Sequence, residues 1–315
     1  MSSTDKQLLE IIACPNCNST LRSTQTGFIC TYCAEKFKVH DNIPLLLPQA
    51  VDATSAIDEV SSRKWQDLYK DKVDKYDPKV PPKEIATTAN SVREILQLNE
   101  ESQGVFMEAG CGTGRTSLEL GCHSKLRIVC LDRSLPALLK AKQLFAQVNQ
   151  PAHFICGDLR ALPFKTKSLD YVFSDGTIEH FKETQIAVDE FRRVLKNNGQ
   201  ALATVPHLAL GMLTYGQLQG NIPNVFLLRN FLEFFHIKFL KGRFLINGFE
   251  LSFTRRQLAR IFKKFPRKSV DYFNSYNEIS FVRNQRLKKI LRKMSNHKAF
   301  CPVIYAHGAK KGSSK

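Results

Sequence analysis

The sequence predicts an α/β protein: a doubly wound, mostly parallel sheet with helices on both faces, preceded by a small metal-folded module. Three observations predict it. From Gly104 onward short apolar runs alternate with amphipathic helical stretches, a glycine cluster follows the first of those runs, and two Cys-x-x-Cys pairs fall within the first 33 residues. Strands buried on both faces read as continuous apolar runs, the pattern of a parallel sheet.

The 315 residues exceed one typical domain and suit a small module followed by a full α/β domain. We expect a zinc ribbon at 1–48, a polar linker at 49–61 and a single domain at 62–310 with an insertion at 207–253. An apolar content of 43% is enough for a sizeable core, whereas a formal net charge of +17 is unusual and favours anionic partners: RNA, an anionic membrane face or a phosphate-bearing substrate. Nine cysteines, five of them isolated, argue for reduced thiols rather than a disulfide framework. The N-terminal residues lack the pattern of a signal peptide, and no apolar run approaches the ~20 residues that span a bilayer. A cytoplasmic protein is expected.

The elements follow in order. Trp65, Leu68 and Tyr69 give one short apolar stripe at helical spacing, and Val92, Ile95, Leu96 and Leu98 give another. Val105-Phe106-Met107 is the first strand, and Leu118 and Leu120 mark a helix. Arg127 to Leu131 is a second strand, Leu135 to Val148 a second helix, and Phe154-Ile155-Cys156 and Leu169 to Phe173 are further strands. A helix at 183–196 is expected to stop at Asn198-Gly199, with strands at Ala201–Val205 and Ala299–His307.

Cys14-Pro15-Asn16-Cys17 and Cys30-Thr31-Tyr32-Cys33 are separated by twelve residues. Each tight turn presents two thiolates on one side, and two such knuckles supply four sulfurs for tetrahedral zinc. Four cysteines close the coordination shell, so the ion is expected to be structural, supplying folding energy to a unit too short for its own core. The flanking residues Leu8 to Pro15 and Asp41 to Leu46 resemble the short zinc-ribbon proteins that partner methyltransferases.

Val105 to Gly114 is the most informative stretch: a strand, an acidic residue, then Gly110, Gly112 and Gly114 opening a helix. Missing side chains let a ligand press against backbone amides and the helix N-terminus. The dinucleotide spacing G-x-G-x-x-G is not met, which counts against NAD or FAD. Glu108 sets a carboxylate where a cationic amino group is the natural partner. The stretch resembles the first motif of the class I S-adenosylmethionine methyltransferases, and four further motifs of that family follow in order. The resemblance spans about residues 104–206 and implies a Rossmann-like, seven-stranded sheet. It also implies S-adenosylmethionine as cofactor, with Glu108, Gly110, Gly112, Gly114, Asp132, Asp158, Leu159 and Ser174 around it. Asp132, at the end of the second strand, takes the position of the carboxylate that grips the ribose. Gly157 to Phe164 resembles the adenine-contacting segment. Glu108 stands where Asp is usual, and Asn197-Asn198-Gly199 where Pro-Gly-Gly is common.

Methyl transfer is an in-line displacement from an already activated sulfonium, so alignment and desolvation are the protein's main tasks. In this topology acceptors meet the cofactor at the carboxyl edge of the sheet. Asp175, Glu179, His180 and His207 are the candidates there. His180 is favoured as a base because its ordinary pKa, near 6.5, suits proton transfer at neutral pH, with Asp175 beside it. The alternative for Glu179 and His180 is a helix-starting role.

Residues 225–240 are rich in phenylalanine and leucine, as in a lid helix, a hydrophobic acceptor pocket or an interfacial membrane helix. From Arg255 to Lys293 thirteen basic residues face only Asp271 and Glu278. Two functions remain: methylation of a small or lipid-linked acceptor, and methylation of RNA. The second is suggested by the ribbon, the basic segment and a similarity to ribosomal RNA guanine methyltransferases that carry a leading zinc module. Against it, Ser174-Asp175-Gly176-Thr177 lacks the Asn-Pro-Pro-aromatic signature of exocyclic-amine methylation. A third reading is a methyltransferase fold reused as a non-enzymatic scaffold.

Overall fold

A computed structural model of the chain describes residues 3–49, 65–67, 69, 77, 80–208, 221–225, 227–231, 234, 250–273, 284–295 and 297–310. The linker expected at 49–61 lies outside the described residues apart from Gln49, as does most of the insertion at 207–253.

The N-terminal unit is a helix, α1 (Ser3–Ile11), and four short strands, β1 (Leu21–Ser23), β2 (Gly27–Cys30), β3 (Lys36–His40) and β4 (Ile43–Leu46), paired as an antiparallel meander. Asp41 and Asn42 join β3 to β4, both in the left-handed region (φ 47° and 59°), the geometry that a two-residue hairpin turn requires. At Gly27 (φ 152°) a Cβ would lie 2.1 Å from the Phe37 carbonyl oxygen, so no other residue fits there.

The α/β domain contributes seven strands: β5 (Val105–Ala109), β6 (Arg127–Asp132), β7 (Ala152–Gly157), β8 (Leu169–Asp175), β9 (Leu195–Pro206), β12 (Arg267–Tyr272) and β13 (Val303–Ala309). Their order is β7-β6-β5-β8-β9-β13-β12, with β13 antiparallel to both its neighbours. The expected count of seven is nonetheless too low for the sheet as a whole, which has eleven strands among the described residues. The physical reason is that β4 pairs in parallel with β7, Leu45 opposite Cys156 and Leu46 opposite Gly157, so the meander extends the same hydrogen-bonded surface. A separate pair, β10 (Asn221–Pro223) and β11 (Glu250–Ser252), lies outside it.

Side chains alternate across the strands and feed two cores. Phe106, Ile128, Cys130, Phe173 and Leu202 pack with α2 (Lys83–Leu96), α3 (Arg115–Cys122) and α4 (Leu135–Gln147). Met107, Val129, Leu131, Val172 and Ala203 face α5 (Thr184–Val194) and α6 (Arg255–Ile261). Leu8, Ile12, Phe28, Phe37 and Leu46 of the N-terminal unit belong to that second core, beside Leu162 and Phe164. β5, β6, β7 and β8 fall where strands were expected, whereas the closing strand begins at Val303 rather than Ala299, β12 was not foreseen, and β9 differs at its start. The helix ends at Val194, and β9 begins at once; Asn198-Gly199 lies in an irregularity between the Leu169–Leu195 and Tyr171–Gln200 pairs. Gly199 is needed there because a Cβ would meet Leu195 at 2.9 Å and the Asp170 carbonyl oxygen at 3.1 Å.

Candidate functional site

The strands β5, β6 and β8 end around a cavity of about 310 Å³. Glu108 reaches it from β5 and is 4% exposed. The backbone N–H of Ser117, in α3, donates to Glu108 Oε2 at 3.0 Å, so the carboxylate ties the strand to the helix that follows it. Burial pushes its pKa up to about 8, with the Ser117 hydrogen bond opposing. Between strand and helix the chain passes through Gly110, Gly112 and Gly114 at φ 76°, 53° and 67°. A Cβ on Gly110 would lie 2.3 Å from Thr177 Cγ2, and one on Gly112 2.6 Å from Tyr69 Oη. The turn therefore has both the backbone angles and the crowding that exclude other residues.

Asp132, at the end of β6, closes the turn from the other side. Its Oδ2 accepts the Gly112 N–H at 2.7 Å, and its Oδ1 accepts the Ser134 N–H at 2.7 Å. Burial raises its pKa, while the N–H groups of Ser134, Gly112 and Arg133 pull it back. Asp158 is 1% exposed. Arg160 engages it through Nε at 3.0 Å and Nη2 at 2.9 Å, and the Arg133 guanidinium approaches it at 3.8 Å. The Arg160 guanidinium in turn stacks over Phe181 at 4.7 Å.

Asp175, Gly176, Thr177 and His180 form the opposite wall. The Thr204 hydroxyl donates to Asp175, which ends β8 as an exposed carboxylate at the mouth of the cavity. His180 meets the single tryptophan, Trp65, edge to face at 5.4 Å. Glu179, in the same turn, is buried, and its Oε2 finds no hydrogen-bond partner among the described residues. Burial, then the charges of Glu250 and Asp175, hold its carboxyl well above the usual range.

The cavity thus gathers Glu108, Gly110, Gly112, Asp132, Asp158 and Leu159 with the catalytic candidates Asp175 and His180. Gly114 and Ser174 are not on its wall. Gly114 caps α3 against Phe145 and Cys130, and Ser174 is fully buried on the face of β8 opposite to Asp175. His207 is also set apart: its ring Nδ1–H donates to the Cys301 carbonyl at 3.0 Å beneath Tyr272. Arg160 lies in the segment expected to contact adenine, whereas sequence reasoning did not place Trp65, Tyr69, Thr177 or Phe181 on the wall. Trp65 and Tyr69 had a signal, an aromatic pair at helical spacing, but nothing in their spacing says which site they cover.

The second cluster is Cys14, Cys17, Cys30 and Cys33, whose sulfurs all lie within 4.8 Å of one another. Cys14 and Cys33 are 3.7 Å apart and Cys17 and Cys30 3.5 Å. Four sulfurs at about 2.3 Å from one zinc would be separated by roughly 3.8 Å, so the donor set and its size fit a tetrahedral ion. Each knuckle closes on a left-handed residue, Asn18 (φ 60°) and Ala34 (φ 57°), which turns the chain back toward the sulfurs. The chain just before the first knuckle is also tied to the α/β domain: the Ala13 N–H donates to the Pro163 carbonyl at 3.0 Å, and the Lys165 N–H to the Ile11 carbonyl at 2.8 Å.

Comparison with known proteins matches residues 107–203 to a family described as "Methyltransferase domain". The chain is 30% identical to malonyl-acyl-carrier-protein O-methyltransferase of Yersinia pestis, over 48% of this chain and 57% of that protein. It is 35% identical to the chloroplastic 2-methyl-6-phytyl-1,4-hydroquinone methyltransferase of Arabidopsis thaliana, over 32% and 29% of the two chains. The chain spans less than two thirds of the length of the curated relatives it matches first. Among solved structures it is similar to geranyl diphosphate C-methyltransferase of Streptomyces coelicolor, with a TM-score of 0.53 at 11% identity, over 82% of this chain and 99% of that one. That likeness is one of fold, the Rossmann-like sheet of a class I methyltransferase.

Proposed function

We propose that the chain transfers a methyl group from S-adenosylmethionine to a small or lipid-linked acceptor. The observation that carries this reading is the convergence of Glu108, the Gly110–Gly112 turn and Asp132 on one cavity. The buried Glu108 carboxyl suits a cationic amino group, since pairing with it would repay the burial that now raises its pKa. The glycine turn leaves room for a ligand to lie against backbone. Asp132, held by two N–H groups, presents a fixed acceptor to the sugar hydroxyls. Asp158, clamped by Arg160, makes a rigid wall in which Leu159 flanks the base.

The bound cofactor supplies the sulfonium methyl. Alignment and the exclusion of water fall to this chain's residues, with Trp65, Tyr69 and Phe181 covering the cavity. If the acceptor must lose a proton, His180 is the group placed to take it, with the Asp175 carboxyl on the same wall. Cys14, Cys17, Cys30 and Cys33 would hold a structural zinc, their four thiolates leaving no open position for substrate. The activities named for the two relatives, on a carrier-bound malonyl group and on a prenylated quinol, support an acceptor of that class.

Calorimetric titration with S-adenosylmethionine tests the first half, with saturable binding as the expected outcome. Mass spectrometry of metabolite extracts from cells with and without the protein tests the second, through a missing +14 Da increment on a small or lipid-linked species. A protein that ignores the cofactor at millimolar concentration, or a missing increment found only on RNA, would overturn the corresponding half.

A further inference from the structure

Helix α7 (Gln285–Ser295) carries Arg286, Lys288, Lys289, Arg292 and Lys293 and no acidic residue. Leu287, Ile290 and Met294 recur at i, i+3 and i+7, so they share one stripe about 60° wide. This stripe is not folded away: Leu287 is 45% and Ile290 56% exposed. Arg286 and Lys293 are exposed as well, on the arc beside it, and Lys289 is exposed further round the helix. Leu227, Phe231 and Phe234 repeat the pattern elsewhere in the chain, spaced i, i+4 and i+7 and 79%, 63% and 52% exposed.

We propose that α7 lies on an anionic phospholipid bilayer, with Leu287 and Ile290 entering the acyl boundary and Arg286, Lys289 and Lys293 meeting lipid phosphates. Charge complementarity argues for this occupant. The chain carries +17 overall, and from Arg255 to Lys293 thirteen basic residues stand against two acidic ones. RNA would use the cations but has no use for aliphatic side chains aligned and held in water. A bilayer surface uses both faces of the helix together. The second exposed stripe, Leu227 with Phe231 and Phe234, has the aromatic-aliphatic character that inserts at the same depth.

The experiment is sedimentation of the full, zinc-loaded chain with vesicles of phosphatidylcholine, alone or with about 30% phosphatidylglycerol. Partitioning onto the anionic vesicles is expected to be at least about tenfold stronger. The Leu287→Gln/Ile290→Gln variant should lose about tenfold of that binding, and Lys289→Glu/Lys293→Glu should bind both vesicles equally weakly. Unchanged melting temperatures would show that both variants fold. Equal binding of the parent chain to the two vesicles would overturn the proposal, as would a Gln variant that binds like the parent. So would an RNA oligonucleotide that binds while vesicles of either kind are ignored.

Discussion

The carboxylate of Asp132 accepts the backbone N–H of Gly112 at 2.7 Å, so the last residue of β6 fixes the middle of the turn that leaves β5. Two strands already joined by backbone pairing and by shared cores are also linked at their ends by a charged hydrogen bond. Asp132→Ala should weaken S-adenosylmethionine binding by about 1.5–3 kcal/mol, the worth of a hydrogen bond to a charged group, and lower the melting temperature. Asp132→Asn keeps an acceptor for only one of the Gly112 and Ser134 N–H groups and should recover part of the melting temperature but not the affinity. Calorimetry and thermal melts separate the two. An alanine variant with parental affinity would remove Asp132 from the cofactor site.

Glu108 should make the protein sensitive to pH. Folding raises its pKa from an ordinary 4.5 to about 8, so across that window the folded chain keeps a proton that the unfolded chain has lost. Stability from this group is therefore complete at pH 4.5 and below and declines as pH rises to 8, by at most about 1.4 kcal/mol per pH unit. Asp132 and Glu179 are shifted upward too and add in the same direction. Glu108→Gln should flatten part of the slope. Binding of a cationic cofactor near pH 7 should release a proton in the parent and not in the variant, read from calorimetry in buffers of different ionisation enthalpy.

Gly110→Ala meets two obstacles, a left-handed φ of 76° and the Thr177 side chain at 2.3 Å. A loss of about 1–3 kcal/mol is expected, together with cofactor affinity. Adding Thr177→Gly removes the collision but leaves the backbone strain, so the double variant should recover only part of the stability. Full recovery in denaturant titrations would mean that the collision alone makes the glycine necessary.

One zinc per chain is expected by native mass spectrometry, and Cys30→Ser should abolish it. Chelation should lower the melting temperature of the whole chain in one transition, because Leu8, Ile12, Phe28 and Leu46 share a core with Leu162 and Phe164. Two separate transitions, one unmoved by the chelator, would show that the ribbon folds independently.

Much of the domain was legible because strands and helices write their periods into the chain. Val105 to Met107 and Ile128 to Leu131 are buried on both faces without a polar interruption, and in β8 Leu169, Val172 and Phe173 are buried around the half-buried Asp170 and Tyr171. The glycine turn and Asp132 were legible for a different reason, since special φ values and a strand-end carboxylate leave few residue choices. The merging of β4 with β7 was not. Backbone pairing carries no side-chain signature, and Leu45 and Leu46 read equally well as the end of a closed small unit. Likewise Asp158 looked like a group facing the ligand, yet its bond to Arg160 depends on how a loop folds back over two residues. Ser174 shows the limit of motif reading, because one step along β8 from Asp175 turns a side chain to the far side of the sheet.

The parallel seam between Leu45–Leu46 and Cys156–Gly157 has a consequence beyond the site. Without it, β7 would be the outermost strand of the α/β domain, a bare row of amides and carbonyls ready to recruit the strand of another molecule. The N-terminal meander therefore covers an edge as well as adding strands. A cell starved of zinc should accumulate this protein as self-associated material before it accumulates unfolded monomers.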